Sequence, residues 1–230
     1  MGRMNTPARV VADTPQRILD VAEQLVQTRG FNGFSYADIA AALGLTKATL
    51  HYHFATKAEL GRRLIERYTG AFEGALHRID SAAPGAPARL RAYIKLYADV
   101  LAENRMCLCG MAAAEYGTLP APMQKALHTF FAANEVWLTQ LLDQAQNEGY
   151  LSLRAPPREE AGMMMSALEG AMLVARAMGD PIRFERAAAS LLAQLEQPEA
   201  PSPARSLRNR GNVARPRLGK PRRSRALQRR

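Results

Sequence analysis

Between Thr46 and Lys57 the sequence gathers side chains suited to phosphates and base edges. Lys47, Ala48, Thr49, His51, Tyr52 and His53 follow Thr46 in one run, and Lys57 stands a turn beyond. A lysine offers charge to a phosphate, threonine and tyrosine hydroxyls can meet base edges or phosphate oxygens, and a residue as small as Ala48 lets a backbone come close. Metal chemistry is not expected here. His51 and His53 are two residues apart, which on a helix turns them about 200° from each other, and no other ligand cluster accompanies them. Catalysis and cofactors are not expected either. Ser35 and Thr46 read as helix caps rather than nucleophiles, and His77 and His128 lack a paired acid or a serine motif.

A second set of residues suits a pocket. Tyr93, Tyr97, Met111, Tyr116, Phe130, Phe131 and Trp137 are the apolar and aromatic residues expected to line a small-molecule cavity between helices, although each could equally be core. Cys107 and Cys109 are too close in sequence for an ordinary staple and too few for a zinc site. Cys107 opens a helix in this reading, so amide dipoles would favour its thiolate and let it sense electrophiles or oxidants; the alternative is a small buried hydrophobe.

The elements that must position these side chains are helices. Thr14-Pro15 predicts a helix start, and Ile18, Val21, Ala22, Leu25 and Val26 share one face before Gly30 stops it. Ser35, with Asp38 three residues on, caps a short helix ending at Gly44. Thr46 caps another through His53, and Thr56 with Glu59 opens a long fourth helix that runs to the Ala82–Pro87 break. Further helices are expected at 88–104, 107–117, 121–148, 158–178 and 182–196, and no strand pattern competes, so the fold class is all-α. Two short helices across Gly44-Leu45 make a helix-turn-helix in which Leu50 and Phe54 face inward, while Ala48, Thr49 and Tyr52 face outward with Lys47, His51 and His53 beside them. The amides opening the fourth helix, with Lys57, form an expected phosphate site.

Charge is unevenly placed. Of 230 residues, 47% are hydrophobic and 23% charged, a composition that excludes wholesale disorder. The formal charge of +10 lies in residues 198–230, where eleven basic residues face Glu199 alone. Residues 1–197 are balanced, with 1–67 at +3 and 68–197 at −3, so the front rather than the rear suits a polyanion. No run reaches the length of a membrane span and no secretory block opens the chain, so the expected location is the cytoplasm, in association with the nucleoid.

Gly30-Phe31-x-Gly33-x-Ser35, Ile39-Ala40, Gly44 to Leu50, and Tyr52-His53-Phe54-x-Thr56-Lys57-x-x-Leu60 together resemble the TetR family of bacterial regulators over about residues 14–65. His51 departs from it, standing where members commonly carry tyrosine. The resemblance implies a homodimer that grips a palindromic double-stranded DNA operator. It also implies a divergent helical domain behind, which dimerises and releases DNA on binding a small-molecule inducer.

The domain organisation expected is a flexible 1–13, a DNA-binding head at 14–60, a ligand-binding and dimerisation domain at 61–197, and a disordered basic tail at 198–230. Met165, Leu168, Met172 and Ala175, with Leu191, Leu192 and Leu195, are the expected dimer interface, two such hairpins making a four-helix bundle; a methionine-rich stripe can also be plain core. The rival reading is a non-specific DNA-architectural protein driven by the tail, whose basic residues would steepen the salt dependence of binding.

Overall fold

A computed structural model describes residues 8–196; residues 1–7 and the basic tail expected beyond residue 197 lie outside the described residues. Among the described residues the secondary structure is helical, and the helices cluster as one unit. α1 spans Ala8–Arg29, α2 Tyr36–Leu43, α3 Lys47–His53 and α4 Lys57–Ala82. α5 follows at Ala86–Ala102, α6 at Leu108–Ala114, α7 at Ala121–Asn147, α8 at Pro157–Ala177 and α9 at Ile182–Glu196.

The expected helix order holds, with boundaries moved where local chemistry moves them. α1 begins at Ala8, upstream of the expected start, and carries Pro15 inside it. A proline without its N–H gives up a main-chain bond there, which the first-turn reading avoided; the helix accepts that loss. α5 starts two residues early because Pro87 fits its first turn. α6 ends at Ala114 and gives way to a short 3₁₀ turn, Tyr116–Thr118, so that Glu115 leaves the helix and reaches the head.

The first four helices form the head. Ile18, Ala22 and Val26 of α1 are buried with Ile39, Ala40, Leu50, Phe54, Leu60 and Leu64 in one apolar cluster. Arg67 of α4 donates to Asp20 and Glu23 of α1 at 2.6 Å each, tying the two long helices together. α4 then continues without a break into the rear, where it packs on α7, while α7 packs on α8 and α8 on α9. Head and rear therefore share one continuous helix.

Candidate nucleic-acid interface and the buried aromatic core

The recognition surface is built by two caps and one buried stripe. Thr46 Oγ1 accepts from the Thr49 amide at 3.1 Å and sits 2.9 Å from the Thr49 hydroxyl. Leu50 and Phe54 are buried, which forces the intervening side chains outward. Lys47, Ala48, His51 and Tyr52 are exposed and Thr49 and His53 half-exposed. Tyr52 stands out at 83% exposure, its ring edge-on to His53 at 5.0 Å. A phenol ring that far from any core has no packing reason to be there.

The expected site residues do not all face outward as free groups. The Ser35 hydroxyl and amide both donate to Asp38 at 2.7 Å, and these bonds hold the Asp38 carboxyl below its ordinary value. Ser35 is therefore occupied as a cap. His51 folds back, its ring 4.7 Å from that of Tyr36 and its Nδ1 3.2 Å from the Ala55 carbonyl. Tyr36 donates to the Phe54 carbonyl at 2.8 Å, and burial pushes its phenol up to about 12. His51 thus helps seat the recognition helix on the head.

Lys57, expected at a phosphate, is engaged by the head itself. Its ammonium group donates to the carbonyls of Phe31, at 2.6 Å, and Phe34. It also lies over both phenyl rings, 4.6 and 4.3 Å from their centroids. Burial lowers its pKa, with Glu115 and Asp38 partly opposing. The turn between α1 and α2 offers two carbonyls and two ring faces to one cation, a better match than a solvated phosphate. Lys57 is the pin of that turn.

Glu115 braces the same turn from the rear domain. Its carboxylate accepts from the Phe31 amide at 2.6 Å and from the Asn32 amide at 3.2 Å, while Asn32 Nδ2 donates to Thr118 at 2.8 Å. Gly30, at φ 82°, makes this possible, since a Cβ there would stand 2.9 Å from Glu115 Oε1. Arg176 of α8 donates to the Gln27 carbonyl at 3.0 Å and to that of Thr28 at the end of α1, and the Met106 amide also donates to the Gln27 carbonyl at 3.2 Å. Arg105 donates to the Gln27 side chain at 3.0 Å. Neither Glu115 nor Arg176 nor Gln27 stood out in the sequence, because their partners are 78 to 149 positions away.

In the rear, Tyr93 and Tyr97 of α5 and Phe130 of α7, expected to line a cavity or to be core, are buried in contact with Tyr68 and Phe72 of α4. Asn134 of α7 is buried too. It accepts from the Tyr93 hydroxyl at 3.0 Å and donates to that of Tyr97 at 3.2 Å, the two phenols being 3.1 Å apart. Its one signal was an amide on the otherwise apolar inner face of α7. Trp137 stacks on Tyr93 at 5.5 Å and donates to Asp80 at 2.9 Å. Phe131 and Met111 are half-buried at the margin. Tyr116 is exposed on the 3₁₀ turn and joins no cluster of the core.

Cys107 caps α6, its sulfur accepting from the Gly110 amide at 3.4 Å, with the Tyr68 hydroxyl 3.9 Å away. The expected thiolate is not favoured. Burial pushes the Cys107 thiol well up and the neighbouring Glu169 carboxylate adds to it, overriding the amide dipole; Cys109 is raised by burial in the same way. Both cysteines are buried and free.

Much of the expected dimer stripe is covered by the chain itself. Leu168, Met172, Ala175 and Leu195 are buried, Leu191 and Leu192 are half-buried against the same core, and Met165 is half-buried. Spacing identifies an apolar face but not whose core it fills, and α8 spends this one on its own bundle. The outward face of α8 carries Met163, Ala167, Val174 and Met178 instead, with Met163, Val174 and Met178 each more than half exposed.

Comparison with known proteins agrees with this architecture. Residues 18–64 match the family described as bacterial regulatory proteins, tetR family, and residues 86–191 match the tetracyclin repressor-like C-terminal domain. The chain is 29% identical over 168 residues to the transcriptional regulator AcuR of Cereibacter sphaeroides, covering 70% of this chain and 75% of that protein. It is 22% identical over 169 residues to the HTH-type transcriptional repressor DhaR of Mycobacterium sp. strain GP1, covering 71% and 83%. Its fold superposes on a TetR-family transcriptional regulator from Agrobacterium tumefaciens with a TM-score of 0.79 and 30% identity, over 81% of this chain and all of that one. These relatives are regulators of transcription, not enzymes.

Proposed function

Since the chain belongs to the TetR family of bacterial transcriptional regulators, we propose that it is a repressor that binds a palindromic operator as a homodimer and leaves it when a small molecule enters the rear domain. The observation that carries the DNA half is the solvent-facing arc of α3, where Lys47, Ala48, Thr49, Tyr52 and His53 stand clear of the core on a helix fixed by Leu50 and Phe54. One such helix can discriminate only a few base pairs, each worth about 1–3 kcal/mol, so a symmetric pair is needed for a specific site. The repressor named among the relatives supports the sign of regulation.

The exposed small and apolar side chains of α8, Met163, Ala167, Val174 and Met178, with the half-buried Gly170 between them, support dimerisation through that face. Small residues let two helices approach closely, and a stripe of this kind left in water favours association. The effector half rests on the aromatic core with its few convergent polar groups. Movement there has a path outward: α6 ends at Glu115 and α8 carries Arg176, so both contacts with the head depend on helices that wall the core.

Gel retardation with the protein's own upstream DNA tests the proposal. A discrete shift on one fragment, at least 10³-fold stronger than on bulk DNA and relieved by some small molecule, is the expected result. Uniform, salt-sensitive binding to every fragment would replace it with the architectural reading. Val174→Glu is expected to yield a monomer by sedimentation, and an intact dimer would move the interface elsewhere.

A further inference from the structure

Helix α8 brings into the core one carboxylate that has no ion pair among the described residues. Glu169 lies next to Leu168 on α8, and its Oε1 is buried without a hydrogen-bond partner. The other oxygen rests on α6 at Gly110, where a Cβ would come within 2.2 Å of Oε2, so the carboxylate occupies room that only glycine leaves. The groups it acts upon are the Cys107 thiol and the phenols of Tyr68, Tyr93 and Tyr97. None of these carries positive charge at neutral pH. Burial raises the Glu169 pKa, and the Cys107 thiol opposes that only in part.

Such a placement is costly. A buried carboxylate whose one hydrogen-bond partner is a thiol, with its Oε1 left over, loses hydration worth several kcal/mol, and an apolar side chain of the same size would fit the site better. The Tyr93, Tyr97 and Asn134 polar atoms already satisfy one another, so they offer Glu169 no compensation. Aromatic rings fill the same core: the Tyr68 hydroxyl lies 3.9 Å from the Cys107 sulfur that bonds Glu169, and Phe72 contacts Tyr68, Tyr93, Tyr97 and Phe130 with centroids 5.3 to 6.5 Å apart. Ring faces carry partial negative charge and attract cations. Carboxylate and aromatic wall thus favour the same class of occupant.

We propose that Glu169 is the recognition group of the effector site, and that the effector bears an amine or ammonium group held between this carboxylate and the rings of Tyr68, Tyr93 and Tyr97. The inference rests on the inducible-repressor reading and adds the chemical class of the inducer. It also links occupancy to release. Glu169 rests on α6, whose end presents Glu115 to the head, and shares α8 with Arg176, two turns further along. An occupant that pulls the carboxylate off Gly110 acts on both contacts.

The test uses the full chain and three probes of one skeleton, benzylamine, benzyl alcohol and benzoate, which differ in charge. Trp137 is the single tryptophan of the chain and stacks on Tyr93, so its fluorescence reads the site directly, with thermal shift as a second measure. Benzylamine is expected to bind at least tenfold more tightly than the other two, Glu169→Gln to abolish the preference, and Glu169→Asp to keep part of it. Circular dichroism establishes that the variants fold. Equal or tighter binding of the alcohol or benzoate, no binding of the amine, or an unchanged preference in Glu169→Gln would overturn the proposal. Release of operator DNA by a neutral or acidic compound, equal in wild type and Glu169→Gln, would also overturn it while leaving the inducible repressor standing.

Discussion

The recognition helix and the rear core bury opposite things. Around α3 Leu50 and Phe54 seal a core that is apolar but for the Tyr36 hydroxyl on the Phe54 carbonyl, and the polar groups offered to DNA stand in water. In the rear the polar groups Asn134, Glu169 and three phenols are held inside, while a good part of the outward face of α8 is apolar. A surface that reads DNA needs side chains free to meet phosphates and bases, and a short helix held by caps supplies them cheaply. A site that selects a small molecule needs desolvated polar groups whose cost is recovered only when the right partner arrives. The head is therefore tolerant at its working surface and the rear is strained at its own.

The sharpest way to break this contrast is at Lys57, the residue that crosses it. Lys57→Met removes two charge-assisted hydrogen bonds and a cation–π contact, and is expected to cost about 3 kcal/mol, lowering Tm by roughly 6–12 °C in a thermal melt. An unchanged Tm with weakened DNA binding would return Lys57 to the phosphate backbone. Next comes Tyr52→Ala, expected to weaken operator binding about tenfold to a hundredfold by gel retardation, with Tm unchanged because the ring is 83% exposed.

Glu169→Gln is expected to act in the opposite sense on stability. Its folded-state pKa is raised by burial, so the native state holds a proton that the unfolded chain releases, and stability falls as pH rises from the unfolded value through the folded one. The variant should therefore melt a few degrees above wild type at neutral pH, with the gap closing as pH is lowered through the ordinary glutamate range. A gap independent of pH would show that the carboxylate is not desolvated. Smallest of all, thiol reagents at pH 8 should label neither Cys107 nor Cys109 in the native protein, and both after unfolding in guanidinium. Rapid native labelling of Cys107 would revive thiol-based sensing.

How much of this could be read from the residues alone follows the same contrast. Caps act within three or four positions, so Ser35 with Asp38 and Thr46 with Thr49 announced α2 and α3, and the arc of α3 followed from helical geometry. The hold of Lys57 on the α1–α2 turn was not legible, because its acceptors, the carbonyls of Phe31 and Phe34, carry no side-chain signature. The stripe of Met165, Leu168, Met172 and Ala175 had the right period for an interface, but periodicity is blind to whether a helix packs on its own chain or on another. Glu169 looked like one more charge among many on a helix; only the packing of α8 against α6, where Gly110 leaves room, turns it inward.

The bond from Arg176 to the end of α1 joins residues 149 positions apart, and it limits how freely the molecule can be taken apart. A head grafted onto a foreign sensor would arrive with the carbonyls of Gln27 and Thr28 open and the Phe31–Asn32 amides unmatched. A working chimera must therefore transplant Glu115 and Arg176 along with the first four helices, or find their equivalents already in the host.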